Sequence, residues 1–410
     1  MNEISPENLN LVIIASDFKG NPFIKQAKKR GCHVRLVTRE KCAKEAWVRD
    51  SIDEIHTVSD NAKPDDYLQK VVALARYRPI SHVVGMDEFD VLTSAATREF
   101  LQINVGLTVS HANVFRDKLK MRTNAKLAGI AQPEFVALFN SEDIVRYIEN
   151  VEPPWIIKPR TEVSAYGIRK IENVDELWSN LAELDLRDSW RDNPSQFLLE
   201  KFIPGKVFHV DSLISKGECV FSGVSNYGTP PLNVTHQGGV FTTSVLPYES
   251  EERTELLELN QKLISAFGHQ TGVTHAEFLR CEKSGRFYLL EIAARVGGAY
   301  IADALEAASG VNLWCEWANL ELSQFEIDYS LPETRNHFAG VVLSLANCKE
   351  PDTAHYVEEE IVHRVRRDYH AGFVVTSERY ERVQELLGHY SNRFVEDFLT
   401  IAPARERHDD

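Results

Sequence analysis

The sequence predicts an α/β protein that opens with a parallel sheet and continues into two strand-rich regions. Three observations carry this. The first hundred residues alternate short apolar runs with helical stretches, the pattern of an open parallel sheet. From about Asp117 to Gly205 two strand-like runs, WIIKPR and FLLEKF, enclose a loop of small residues. From Lys206 onward strands dominate: VFHVDSLI, ECVFSGV, VTHAEFLR and RFYLLEIA.

Taken in order, Leu11–Ser16 (LVIIAS) is apolar enough for a buried parallel strand. A helical stretch from Ile24 to Arg30 stops at Gly31, a second strand reads HVRLVT, and another apolar run lies at His82–Met86. The first turn, SDFKGNPF, is not G-x-G-x-x-G, so a dinucleotide site there is unsupported. A helical stretch is expected from Ala302 to Leu322. From about Asn336 the pattern suggests a small α/β unit ending in the charged tail ARERHDD.

The net charge of −15 argues against nucleic acid and anionic membranes as general partners. The N-terminus has no basic region followed by an apolar run, and no segment has the apolar length to cross a bilayer. Cys32, Cys42, Cys219, Cys281, Cys315 and Cys348 form no C-x-x-C pair, so they read as reduced thiols of a cytoplasmic protein.

The strongest local signal is a hairpin. VTHAEFLR and RFYLLEIA flank a turn which, centred on Ser284, sets Glu277 opposite Glu291 and Leu279 opposite Leu289. Opposed carboxylates repel unless a cation sits between them, and hard oxygen ligands suit Mg²⁺. A register slip of one residue would instead send one glutamate to solvent; from the hairpin alone both readings stay open. Arg295 follows Glu291 by four residues, ahead of Gly297-Gly298. It is fit to neutralise phosphate or an oxyanion, or simply to pair with a nearby acid. Lys158 ends a strand before a loop holding Ser164, Ala165 and Gly167, small residues that let backbone N–H groups approach phosphate. Glu200 ends an apolar strand before a Pro-Gly turn, where it is also plausible as a plain surface acid.

Together and in this order, these segments resemble the ATP-grasp superfamily of carboxylate–amine ligases, strongly from Asp117 to Gly310 and more loosely at the flanks. Asp117-Lys118, Met121-Arg122 and AGIAQPEF look like the opening of the nucleotide domain. The resemblance implies ATP and Mg²⁺ as cofactors, with Lys118 and Lys158 on the phosphates and the loop Thr161–Gly167, including Ser164 and Gly167, closing over them. Glu200, Lys201 and Phe202 match the adenine hinge, Glu277 and Glu291 the magnesium ligands, and Arg295 the catalytic arginine. EIAARVGG looks most like the L-amino acid ligases, which make dipeptides and carry an upstream histidine in the substrate region, here His236. In two places the chain departs from many members. Ala293 stands where an asparagine helps hold the second magnesium. Val207 stands where a glutamate binds ribose, leaving that role to His209 or Asp211.

The implied fold is an ATP-grasp fold with an N-terminal open parallel α/β domain (1–112), a small lid domain (113–205) and a larger C-terminal α+β domain (206–410). The implied chemistry is acyl-phosphate formation from ATP followed by amine attack, releasing ADP and phosphate. Small-molecule carboxylate and amine substrates, amino acids among them, and a homodimer are the expected partners. Another ATP-grasp ligase, resembling biotin carboxylase or a purine-pathway enzyme, and an inactive ATP-binding regulatory module are the alternatives.

Overall fold

The computed structural model describes residues 9–163, 165–187, 193–229 and 238–400. The N-terminal unit runs β1 (Asn10–Ala15), α1 (Asn21–Lys29), β2 (His33–Arg39), β3 (Glu54–Val58), α2 (Pro64–Ala75), β4 (His82–Gly85) and α3 (Glu88–Phe100). Its four strands are parallel in the order β3-β2-β1-β4. Every residue of β1 is buried, as the uninterrupted apolar run demands. The chain leaves β1 toward β2 on one side, while β4 lies on the other. This makes a topological switch point, whose crevice opens beyond the strands' carboxyl ends. There Lys19 pairs with Asp87, and Asp87 caps α3 by accepting from the Phe89 N–H.

Two helices follow, α4 (Val109–Arg116) and α5 (Lys118–Leu127). They are split at Asp117, which caps α5 and is clamped by Arg160. The next unit holds β5 (Phe135–Ala137), α6 (Ser141–Asn150), β6 (Trp155–Pro159), β7 (Arg169–Ile171), α7 (Val174–Asp185) and β8 (Phe197–Lys201). Its sheet is antiparallel, in the order β5-β8-β6-β7. Trp155, Leu177 and Leu199 fill the space beneath the helices.

The remainder is built on one eight-stranded sheet. It holds β9 (Gly205–Ser215), β10 (Glu218–Tyr227), β11 (Phe241–Val245), α8 (Glu251–Phe267), β12 (Thr271–Cys281), β13 (Phe287–Ala293), α9 (Ile301–Ser309), α10 (Leu313–Ser323), β14 (Phe338–Leu345), β15 (Ile361–Arg364), β16 (His370–Ser377) and α11 (Tyr380–Asp397). The strand order is β13-β12-β9-β10-β11-β14-β16-β15.

Three expectations need correction. The stretch from Ala302 to Leu322 is two helices, because Gly310 turns left-handed at φ 81° and ends the first. The region after Asn336 is not a separate unit: β14 pairs with β11 and carries the large sheet onward. In the β12–β13 hairpin Glu277 does oppose Glu291, but a bulge next to that pair shifts the register. Phe278 then meets Leu289, Leu279 meets Tyr288, and Leu290 is the extra residue.

Helix α10 returns to the N-terminal unit. Trp317 meets Phe23 of α1 edge-on at 5.1 Å, and Gln26 donates to Asn319 at 2.8 Å. Phe23 and Ile24 are fully buried there, each worth about 1.5–3 kcal/mol relative to exposure. Among the described residues no helix is long and apolar enough to cross a membrane.

Candidate active site

A cavity of about 760 Å³ lies between the β5–β8 sheet and the β13-β12-β9 end of the large sheet. Its floor is made by the strand ends that the sequence singled out. Glu277 and Glu291 stand opposite one another on neighbouring strands, with about a quarter of each side chain exposed to the cavity. Two carboxylates so placed repel each other; Lys118 offsets this directly, and two further cations of the cavity wall, Arg295 and Lys158, are paired with other buried acids. Lys118, at the first position of α5, reaches Glu291 Oε1 at 3.2 Å and donates to the Glu162 carbonyl at 2.6 Å. Arg295, just beyond β13, donates from Nε and Nη2 to Glu88 Oε2 at 3.1 and 2.9 Å. Lys158, at the end of β6, lies 2.7 Å from Glu200 Oε2.

Glu200 is not a surface acid. It is 3% exposed, and Arg122 of α5 holds its other oxygen at 2.6 Å. Burial, the nearby Arg122 and Lys118 push the Lys158 ammonium down to about 8, although Glu200 pulls the other way. A lysine so poised is charged at neutral pH yet only loosely committed to its proton. The bulge frees the Leu290 carbonyl, which accepts from Arg122 Nη2 at 2.7 Å and ties hinge strand β8 to the hairpin through one guanidinium.

The hinge residues Lys201 and Phe202 line the cavity beside Ile203 and Pro204. Lys201 Nζ is turned to the Glu152 and Pro153 carbonyls, and Lys170 covers the Phe202 ring at 4.8 Å. Val163, Ala165 and Ile168 also line the cavity. Gly167 is not in its wall; it takes φ 66° and turns the loop. Ser164 and His236 lie outside the described residues.

His209 departs from its expected ribose role. It sits on the cavity side of β9, directly across from Glu277, but is fully covered. Its ring packs on Tyr227 at 4.7 Å, and its nitrogens face Asp211 and Thr243 at 2.6 and 2.7 Å. Asp211, the alternative, is equally sealed. Ala293 and Val207 both line the cavity as apolar surface.

The sequence reading missed several residues. Glu88 is buried at the N-terminus of α3 and bridges Arg295 to Arg116, whose Nη1 lies 2.6 Å away. Burial would raise its carboxyl; Arg116, Arg295 and Lys118 together hold it well below the usual range. The signal was the run DEFD just after β4, at the switch-point crevice. Tyr227 and His275 also touch Glu277 Oε1, at 2.7 and 3.4 Å. Burial pushes the His275 imidazole down, but Asp211 and Glu277 outweigh it and hold the ring up to about 9.

His209, Asp211 and His275 cluster closely enough to suggest a metal centre. The distances argue otherwise. Each Nδ1 lies 2.6–2.8 Å from an Asp211 oxygen. That is a proton-sharing separation, whereas ligands around a tetrahedral zinc stand about 3.3 Å apart. By contrast, the Glu277–Glu291 pair suits a hard divalent cation accompanied by phosphates: two opposed oxygen donors with Lys118, Lys158 and Arg295 around them.

A profile of the ATP-grasp domain matches residues 151–303, the stretch that carries Lys158, Glu200, Glu277, Glu291 and Arg295. The central stretch of the chain is an ATP-grasp domain. The L-arginine-specific L-amino acid ligase of Bacillus subtilis is 27% identical over 273 residues, covering 66% of this chain and 64% of that protein. The chain thus spans less than two thirds of that relative's length. The crystal structure of the L-amino acid ligase from Bacillus licheniformis superposes with a TM-score of 0.72 at 19% identity, over 97% of this chain and 99% of that one. The N5-carboxyaminoimidazole synthetase of Staphylococcus aureus superposes with a TM-score of 0.71 at 16% identity, over 96% and 99%. The ATP-grasp fold therefore extends through the parallel N-terminal sheet and the large antiparallel sheet.

Proposed function

We propose that the protein is an ATP-dependent carboxylate–amine ligase acting on amino acids. The observation that carries this is the convergence of Glu277, Glu291, Lys118, Lys158 and Arg295 on one cavity between two sheets. When bound, Mg·ATP supplies the phosphoryl group that turns a substrate carboxylate into an acyl phosphate, which an amine then attacks with release of ADP and phosphate.

In this reading each residue does a defined task. Glu277 and Glu291 hold the magnesium. Lys118 and Lys158 leave their present carboxylate partners to neutralise phosphate oxygens, as phosphoryl transfer depends mainly on positioning and charge. The hinge Glu200–Phe202 receives the adenine, and the loop Thr161–Gly167 closes to keep water from the acyl phosphate. Arg295 holds the oxyanion formed when the amine attacks, an interaction worth about 3–4 kcal/mol at such sites. His236 orients or deprotonates that amine. The amino-acid assignment is supported by the ligase relatives that the chain resembles.

The test is phosphate release from Mg·ATP across paired carboxylic and amino acids, with the spent nucleotide separated by chromatography. Stimulation by amino-acid pairs with ADP as product is expected. Glu277→Gln and Glu291→Gln should each abolish it while melting like the parent. AMP as the main product would exclude the acyl-phosphate route. Stimulation by bicarbonate alone would move the assignment to a carboxylase-type reaction, and no turnover with any pair would leave a nucleotide-binding module.

A further inference from the structure

Behind Glu277 the large sheet carries a line of hydrogen bonds that the chemistry above leaves unused. It starts at Thr243 on β11, whose hydroxyl lies 2.7 Å from His209 Nε2. His209 Nδ1 lies 2.6 Å from one oxygen of Asp211, and the other Asp211 oxygen lies 2.8 Å from His275 Nδ1. The line reaches the cavity wall at Glu277, whose Oε1 accepts from the Tyr227 hydroxyl at 2.7 Å and faces His275 Nε2 at 3.4 Å. Strand register enforces it, since His275 lies across from Asp211 and Glu277 across from His209.

Burying a carboxylate and two imidazoles is costly, and apolar residues would hold three strands together at least as well. This polar line also has an outlet on the other side. A Cβ at Gly297 would stand 2.5 Å from Asp211 Oδ1 and 3.0 Å from His275 Nδ1. The loop that carries Arg295 can therefore lie down on this pair only because residue 297 is glycine.

We propose that Asp211 is a positioning residue with two outputs. Through His275 it fixes the Glu277 carboxylate, drawing Oε1 toward the sheet and presenting the other oxygen to the cation. Through Gly297 it seats the loop bearing Arg295. This rests on the assignment of Glu277 as a magnesium ligand.

The experiment measures two affinities on the full-length chain: ADP without metal, and Mn²⁺ in the presence of ADP followed by its electron paramagnetic resonance. Asp211→Asn should bind metal-free ADP as the parent does, while its Mn²⁺ affinity falls roughly 10–100-fold, as for lost outer-shell partners elsewhere. Tyr227→Phe, which removes one donor and strands no buried charge, should show a smaller loss. His275→Gln, whose amide can still donate to Glu277, should keep more Mn²⁺ affinity than His275→Ala. If Asp211→Asn fails to fold, Tyr227→Phe and the His275 pair decide the matter. Parental Mn²⁺ affinity in the folded variants overturns the proposal, as does loss of metal-free ADP binding in step with it. A parent that binds no ADP at all overturns the ligase reading itself, and this inference falls with it.

Discussion

Glu88 holds two arginines at once, and its removal is the most informative single change outside the metal pair. Arg116 and Arg295 both donate to its buried carboxylate, so Glu88→Gln leaves two guanidiniums short of a counter-charge. Breaking a buried pair in this way costs on the order of 3 kcal/mol. The loss should depend on pH in one direction. The folded-state carboxyl is depressed from 4.5 to about 2. Its stabilising contribution is therefore complete above 4.5 and fades as the pH falls toward 2. Thermal melts of parent and variant should differ clearly at pH 7 and converge below pH 4.5; a constant gap would show that the glutamine acts through packing alone. Glu88 was not legible as a site residue because a charged residue at a helix start looks like any first-turn acid. Lys158, Glu277, Glu291 and Arg295 stood out in the sequence because each lies within or just after a largely apolar strand, where a charge is conspicuous. His209 misled for the same reason: period-two alternation puts it on the cavity side of β9 with Val207, but cannot reveal that the Tyr227 ring lies against it.

At the scale of elements, the β12–β13 hairpin shows how far pattern reading reaches. Alternation and the turn gave the opposition of Glu277 and Glu291, and the bulge leaves that pair intact while shifting every pair toward the turn. The bulge has no sequence signature of its own, since the extra residue is the ordinary Leu290. It is explained only by a contact 168 residues away in the chain, the Arg122 guanidinium on the freed carbonyl. The loop after β6 carries an element-scale prediction. Thr161 and Glu162 give their carbonyls to Arg116 and Lys118, so one of the loop's two anchors, Lys118, is a cation proposed to meet phosphate, and the other, Arg116, shares Glu88 with Arg295. Binding of Mg·ATP should retune those anchors and slow backbone hydrogen exchange across Thr161–Gly167. Exchange unchanged by nucleotide would remove the loop from any closing role.

At the scale of the whole molecule, the parallel N-terminal sheet was legible, and the reach of the large sheet was not. A strand's partner is set by tertiary pairing, and β14 and β16 looked like the start of a new unit because 92 residues separate the end of β11 from the start of β14 in the sequence. In the fold they bury Ala339, Val341, Phe373 and Val374 and close the free side of β11. A chain ending at Leu331 should therefore aggregate, exposing an open strand edge and an apolar face. Size-exclusion chromatography of that truncation decides it, and a soluble monomer would mean the last three strands are dispensable to the sheet. The return of α10 onto α1 has a consequence for biosynthesis. The two helices that clasp each other lie 293 residues apart in the chain. At ordinary translation speeds of 5–20 residues per second, roughly 15–60 s pass between their emergence from the ribosome. For most of that interval the whole N-terminal unit is outside the exit tunnel with the Trp317-facing side of Phe23 uncovered, an interval in which a nascent-chain chaperone can take the place of α10.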